Sequence, residues 1–168
     1  MTLDVFAADE QADHPVAVDR FSRLARSVLE AEGVTDDVEV SLLFVDEATI
    51  AALNERFLEK EGPTDVLAFP IEDEGDLSGR SPDEGGRGPA SSETETDRPV
   101  LLGDVVVCPV VAARNAVDNG VTFDDEIALL VVHGILHLLG MEHDADADAE
   151  RMERREQQLL DRFYRHAP

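Results

Sequence analysis

The stretch His133-Gly134-Ile135-Leu136-His137-Leu138-Leu139-Gly140-Met141-Glu142-His143 decides how the rest of the chain is read. His133 and His137 stand four residues apart in an otherwise apolar run, so a helix stacks them on one face with Cβ atoms roughly 5–6 Å apart. Two imidazoles so placed can converge on one metal ion. Gly140 offers the helix a stop and the chain a reversal, which would bring His143 back as a third ligand. Three neutral imidazoles with an open fourth position describe a catalytic zinc site rather than a structural one, because water bound there ionises near neutral pH. Taken singly, a histidine on an apolar face is more often a hydrogen-bonded core residue than a ligand. Three of the chain's five histidines, at offsets of four and six with glycine at the break, point to a metal. An all-imidazole shell favours zinc, and nickel or copper would also bind it.

The spacing follows the metzincin protease pattern H-E-x-x-H-x-x-G-x-x-H at every position but one. Gly134 stands where the protease carries its glutamate general base. Peptide hydrolysis needs that carboxylate beside the metal-bound water, so its absence argues against a protease. Glycine inside a helix also costs about 1 kcal/mol relative to alanine, which implies that this spot must stay free of a side chain.

Composition bounds the remaining choices. At 168 residues the chain is expected to form one domain, with enough length for a real core. It carries 38 acidic and 14 basic residues, a formal charge of −24, and Lys60 is its one lysine. Such a surface suits concentrated salt, where carboxylates hold water and screening suppresses self-repulsion, so a halophilic source is expected in preference to an acidic protein partner. Cys108 is the single cysteine, which excludes an intramolecular disulfide and fits a reducing cytosol. Met1 to Glu10 lacks the basic and apolar regions of a signal peptide, and the apolar run Ile127 to Met141 is too short to span a membrane. A cytoplasmic protein is the expectation.

Outward from the histidines, Leu3 to Ala7 alternates as a first strand. Pro15 can open a helix with Val18, Phe21, Leu24, Ala25 and Val28 on its apolar face, closed by Gly33. Val38 to Val45 reads as a buried strand, and Asp46 as the cap of a helix through Phe57. A short strand fenced by prolines follows at Pro63 to Pro70. Between Glu72 and Arg98 nine acidic and three basic residues mix with Gly, Ser and Pro, which predicts a flexible acidic loop at about 72–98, or a docking segment for a basic partner. Val100 to Cys108 is a further strand carrying Gly103-Asp104. Pro109 begins a helix ended by Asn119-Gly120. Thr122, followed by Asp124, Asp125 and Glu126, caps the histidine helix, which is apolar all round and so expected at the buried centre. A last helix, about Asp148 to His166, sets Met152, Leu159, Leu160 and Phe163 against Arg151, Arg154, Arg155, Arg162 and Arg165. Its basic side is either laced with ion pairs or a phosphate-binding face.

Taken together, these segments resemble the YbeY family of bacterial metal-dependent endoribonucleases. The likeness is carried by Leu53-Asn54, the Pro63 to Pro70 run, Leu102-Gly103-Asp104-Val105-Val106, and His133 to Asp144 with its H-G-x-L-H-L-x-G-x-x-H-D form. The resemblance implies an α+β fold: a single domain over residues 1–168, with a small mixed four-stranded sheet flanked by about five helices around a central buried metal-binding helix. It implies one zinc ion held by His133, His137 and His143. It further implies a cytoplasmic enzyme that cuts single-stranded ribosomal RNA in maturing the 3′ end of the small-subunit RNA and in ribosome quality control, with the ribosome or small-subunit proteins as partners. Two positions depart from the family pattern: Leu58 aligns where many relatives have arginine, and Ala68 where many have serine.

Without a helix glutamate the general base must come from elsewhere, and RNA offers its own 2′-hydroxyl as nucleophile. Asp144, Glu142, Asp65 and Asp104 are candidates for proton transfer, and Asp65, Asp104, Arg114 and Asp144 are candidates for the substrate cleft. No residue is singled out as catalytic. Arg114, Arg151, Arg154 and Arg155 could supply the positive potential that RNA requires. The competing readings are a non-catalytic, zinc-stabilised ribosome assembly factor and a metzincin-like metalloprotease.

Overall fold

The four apolar runs expected as strands all form, and they share one sheet. In a computed structural model describing residues 3–34, 37–70, 100–141 and 146–165, β1 (Leu3–Asp9), β2 (Val38–Phe44), β3 (Val66–Pro70) and β4 (Val100–Val107) lie in the order β1-β2-β4-β3. The first three in that order are parallel, and β3 runs antiparallel to β4 at the edge. The sheet is therefore mixed, as expected.

Five α-helices complete the described residues: α1 (Val18–Ala31), α2 (Glu47–Leu58), α3 (Pro109–Asn119), α4 (Phe123–Leu138) and α5 (Asp146–Leu160), the last running into a π-helical turn at Asp161–Arg165. The expected caps are in place. The Asp46 carboxylate accepts from the Thr49 amide at 2.8 Å, and the Thr122 hydroxyl oxygen accepts from the Asp125 amide at 3.0 Å. Pro109 occupies the first turn of α3, where its missing N–H costs nothing. Two helix starts differ from expectation. Helix α1 starts at Val18, not Pro15, because the Gln11 side chain accepts from the His14 amide and donates to the His14 carbonyl, stapling a loop just before the proline. Helix α5 begins two residues early, at Asp146. The acidic stretch 72–98 lies outside the described residues.

Strand alternation sorts the core into two layers. On one face Val40, Leu42, Phe44, Val105 and Val107 pack with Phe21 and Val28 of α1, Ile127, Val131 and Ile135 of α4, and Met152 and Leu159 of α5. On the other, Leu67, Val106 and Cys108 pack with Ile50 of α2. Burial pushes the Cys108 thiol above its usual range, as befits a small apolar core residue. Helix α4 touches α1, α3, α5, β3 and β4, so it is the buried centre that its all-round apolarity implied.

Gly103 explains the Leu-Gly-Asp run. Its φ of 148° lies outside the usual range for L side chains, and an added Cβ would stand 2.5 Å from the Phe69 carbonyl oxygen and 2.6 Å from Leu138 Cδ1. The missing side chain lets the end of α4 and strand β3 close on β4. Among the described residues no helix is long and apolar enough to cross a membrane.

Candidate metal centre on helix α4

From Leu130 to Leu138 every residue of α4 is buried except His133 and His137. In this stretch, whose other positions are apolar or glycine and covered, the two imidazoles are the part that solvent reaches. Their ring centroids are 6.2 Å apart with the planes inclined at 76°. They share a helix face, as the spacing of four requires.

Helix α4 then ends as its sequence predicts. The Gly140 amide donates to the His137 carbonyl and the Met141 amide to the Leu136 carbonyl, both at 3.0 Å, with Gly140 at φ 100°. This is the paired bond pattern of a Schellman turn, which satisfies the last carbonyls and reverses the chain. The third expected ligand, His143, lies three residues past that glycine and outside the described residues, as do Glu142 and Asp144. Among the described residues no group of three or more possible ligands gathers. The donors that the described residues of α4 supply are thus two half-buried imidazoles on one face, a pair whose chemistry suits zinc.

Gly134 faces the sheet. An added Cβ would lie 2.6 Å from Val105 Cγ1 and 3.4 Å from Val66 Cγ2. The helix position that bears the protease glutamate is therefore filled by β4 and β3, and a carboxylate could not stand there without moving the sheet.

Glu156 of α5 is the functional candidate that sequence reasoning missed. Its Oε2 lies 2.5 Å from His133 Nδ1, and the residue is 6% exposed. A signal was present: Glu156 falls in the apolar register of Met152, Leu159 and Leu160, where a carboxylate is out of place. A pocket beside His133 is lined by Ala149, Met152, Glu153 and Glu156.

A second polar cluster lies near the start of α4. Asn115 Nδ2 donates to Asp65 Oδ2 at 3.0 Å, and the Asp65 carbonyl accepts from the Cys108 amide at 2.9 Å. Glu126, also buried, is held above the usual carboxylate range chiefly by its burial; its hydrogen bond to Asn119 opposes this, and the nearby Asp65 charge adds to it. The sequence marks Glu126 only as a first-turn acid of α4, and Asn115 does not stand out in it.

The other cleft candidates are dispersed. Asp104 alternates with Val106 and Cys108, so it belongs to the α2 side of the sheet, opposite the histidines. Arg114 is clasped by both carboxylate oxygens of Glu47, at 2.8 and 2.9 Å, and this pair holds the Glu47 carboxyl below its usual range. Arg151 pairs with Asp148, Arg155 with Glu32 and Arg165 with Asp161. Ion pairing, rather than an open phosphate-binding face, accounts for these three arginines. Leu58 is exposed beside Phe57, whose ring meets Phe69 edge-on at 5.5 Å.

Comparison with known proteins places these features in context. The family model described as Endoribonuclease YbeY matches residues 6–164. The Endoribonuclease YbeY of Frankia casuarinae is 43% identical over 149 residues, covering 89% of this chain and 68% of the relative. That of Salinispora tropica is 42% identical over 151 residues, covering 90% and 88%, and that of Moorella thermoacetica 41% identical over 155 residues, covering 90% and 92%. A solution structure of a Thermotoga maritima protein shares the fold, with a TM-score of 0.54 at 23% identity over 94% of this chain and 90% of its own.

Proposed function

The chain belongs to the YbeY endoribonuclease family, and on that premise we propose that it is a zinc-dependent endoribonuclease that cuts single-stranded RNA. Its substrate is the 3′ end of small-subunit ribosomal RNA, and its setting is ribosome maturation and quality control in the cytoplasm. The observation that carries the reading is the restriction of solvent access along Leu130 to Leu138 to His133 and His137. A structural role would be served by burying both.

His133, His137 and His143 are the residues that would hold the ion. A bound zinc ion supplies charge stabilisation at a phosphoryl oxygen or a water of lowered pKa. The chain's own contributions follow from its packing. Glu156 orients the His133 ring. Gly134 lets α4 lie close on β3 and β4. Asp65 is held by Asn115 near the start of α4, and Asp104 belongs to the face opposite the histidines, so neither is assigned the proton transfer. With no carboxylate at position 134, the 2′-hydroxyl of RNA is the favoured nucleophile.

Affinity for naked RNA should be weak. The net charge is −24, and Arg114, Arg151 and Arg155 are engaged with carboxylates. A ribosomal partner therefore delivers the enzyme to its substrate.

The test compares zinc-loaded protein and His137→Ala on three substrates: single-stranded RNA, the same RNA with deoxyribose at the cleaved nucleotide, and casein. Cutting of RNA alone, lost in the variant and on the deoxyribose substrate, is the expected result. Cutting of the deoxyribose substrate would eliminate the 2′-hydroxyl route. Cutting of casein would restore the protease reading, and no cutting at all would favour the non-catalytic assembly factor.

A further inference from the structure

Within α5, Glu156 is the one acidic side chain among the described residues that points into the core. Its neighbours in that register, Met152, Leu159 and Leu160, are 2%, 1% and 3% exposed. Taking a carboxylate out of water there is costly, and an apolar residue of similar size would fill the place without that cost. What Glu156 meets is the Nδ1 of His133, 2.5 Å away.

The chemistry of that contact is directional. A carboxylate only accepts, so Nδ1 must carry the hydrogen. A neutral imidazole has one N–H, so the lone pair is then on Nε2. A neutral histidine without such a partner prefers the opposite tautomer, with its hydrogen on Nε2. We infer that Glu156 is a positioning residue, which fixes the tautomer and ring orientation of His133 so that Nε2 is presented to a divalent metal ion. The inference rests on the reading of His133 as a ligand and adds a residue that the histidine motif does not contain. Carboxylate partners of this kind raise the basicity of a ligating imidazole and hold its ring in place.

The experiment uses the full chain as wild type, Glu156→Gln and Glu156→Met. Long-range proton–nitrogen spectra of the metal-free proteins report the His133 tautomer, competition with a chromophoric chelator reports zinc affinity, and urea melts report folding. Wild type should show hydrogen on Nδ1. Glu156→Gln keeps an acceptor oxygen and should retain that tautomer with a smaller loss of affinity. Glu156→Met should move the hydrogen to Nε2 and weaken zinc binding by about 10–100-fold while still melting cooperatively. A wild-type His133 with its hydrogen on Nε2, or a folded Glu156→Met protein with undiminished zinc affinity, would overturn the assignment. Wild type that binds no zinc would instead overturn the metal reading beneath it, and the metal-free spectrum would still decide whether Glu156 sets the tautomer.

Discussion

Substituting Gly134 by alanine adds one methyl group at a close approach between α4 and the sheet. The new carbon would stand 2.6 Å from Val105 Cγ1, where a relaxed carbon contact needs about 3.5–4.0 Å. Val105 has no room to retreat: it is fully buried in β4, which is hydrogen-bonded to β2 on one side and β3 on the other. Overfilling a packed core costs typically about 1–3 kcal/mol. Alanine's better helix propensity returns about 1 kcal/mol, so the net loss is on the order of 1 kcal/mol. With a urea dependence of roughly 2 kcal/mol per molar, the unfolding midpoint should fall by about 0.5 M. The discriminating measurement repeats the substitution in a Val105→Ala background, where Cγ1 is gone. Only the propensity gain then remains, and Gly134→Ala should become stabilising by about 1 kcal/mol. A rise in midpoint in the wild-type background, or strict additivity of the two substitutions, would refute the claim that β4 reserves this position for glycine. By the same contact, Gly134→Glu should unfold the domain rather than create a protease.

Three further outcomes are expected. Thr122→Ala removes the side-chain cap of α4 and should cost about 1 kcal/mol in the same urea assay. Because burial raises the Glu126 carboxyl, the folded protein keeps a proton that the unfolded chain releases; the associated stability is full at low pH and is lost as pH climbs from the usual carboxylate range to the raised value. Glu126→Gln, neutral throughout, should therefore match wild type near about pH 4 and gain on it by about pH 7, and parallel pH profiles of the two midpoints would contradict this. Finally, a net charge of −24 predicts that the urea midpoint rises steeply with added potassium chloride, and a protein equally stable without salt would remove the halophilic reading.

The histidine helix was legible because its signals were local and mutually consistent. Thr122 at the start, Gly140 at the end and apolar residues between are all requirements of one element, and all are met. The strands were legible for the same reason, since each is a short apolar run bounded by turn residues. What sequence reasoning could not place was contact between distant segments. Glu156 reaches His133 across 23 positions and Asn115 reaches Asp65 across 50, and no local period encodes either meeting. Alternation did carry information about Asp104 that the motif obscured: it shares a face with Val106, and its nearness to Gly103 in sequence says nothing of nearness to the histidines. The start of α1 was misjudged because Pro15 is permissive for a helix but does not compel one, and the Gln11 side chain decided the matter.

The order of strands in space, with β4 inside and β3 at the edge, sets a timetable for synthesis. Val40 on β2 is paired with Gly103, so the first half of the chain emerges from the ribosome with one side of β2 unmatched until β4 arrives. Pairings that span so many residues close slowly, and an exposed strand side is a site for unwanted association in the interval. The nascent protein should therefore depend on chaperones until residue 107 has left the exit tunnel, and truncations before that point should aggregate rather than fold.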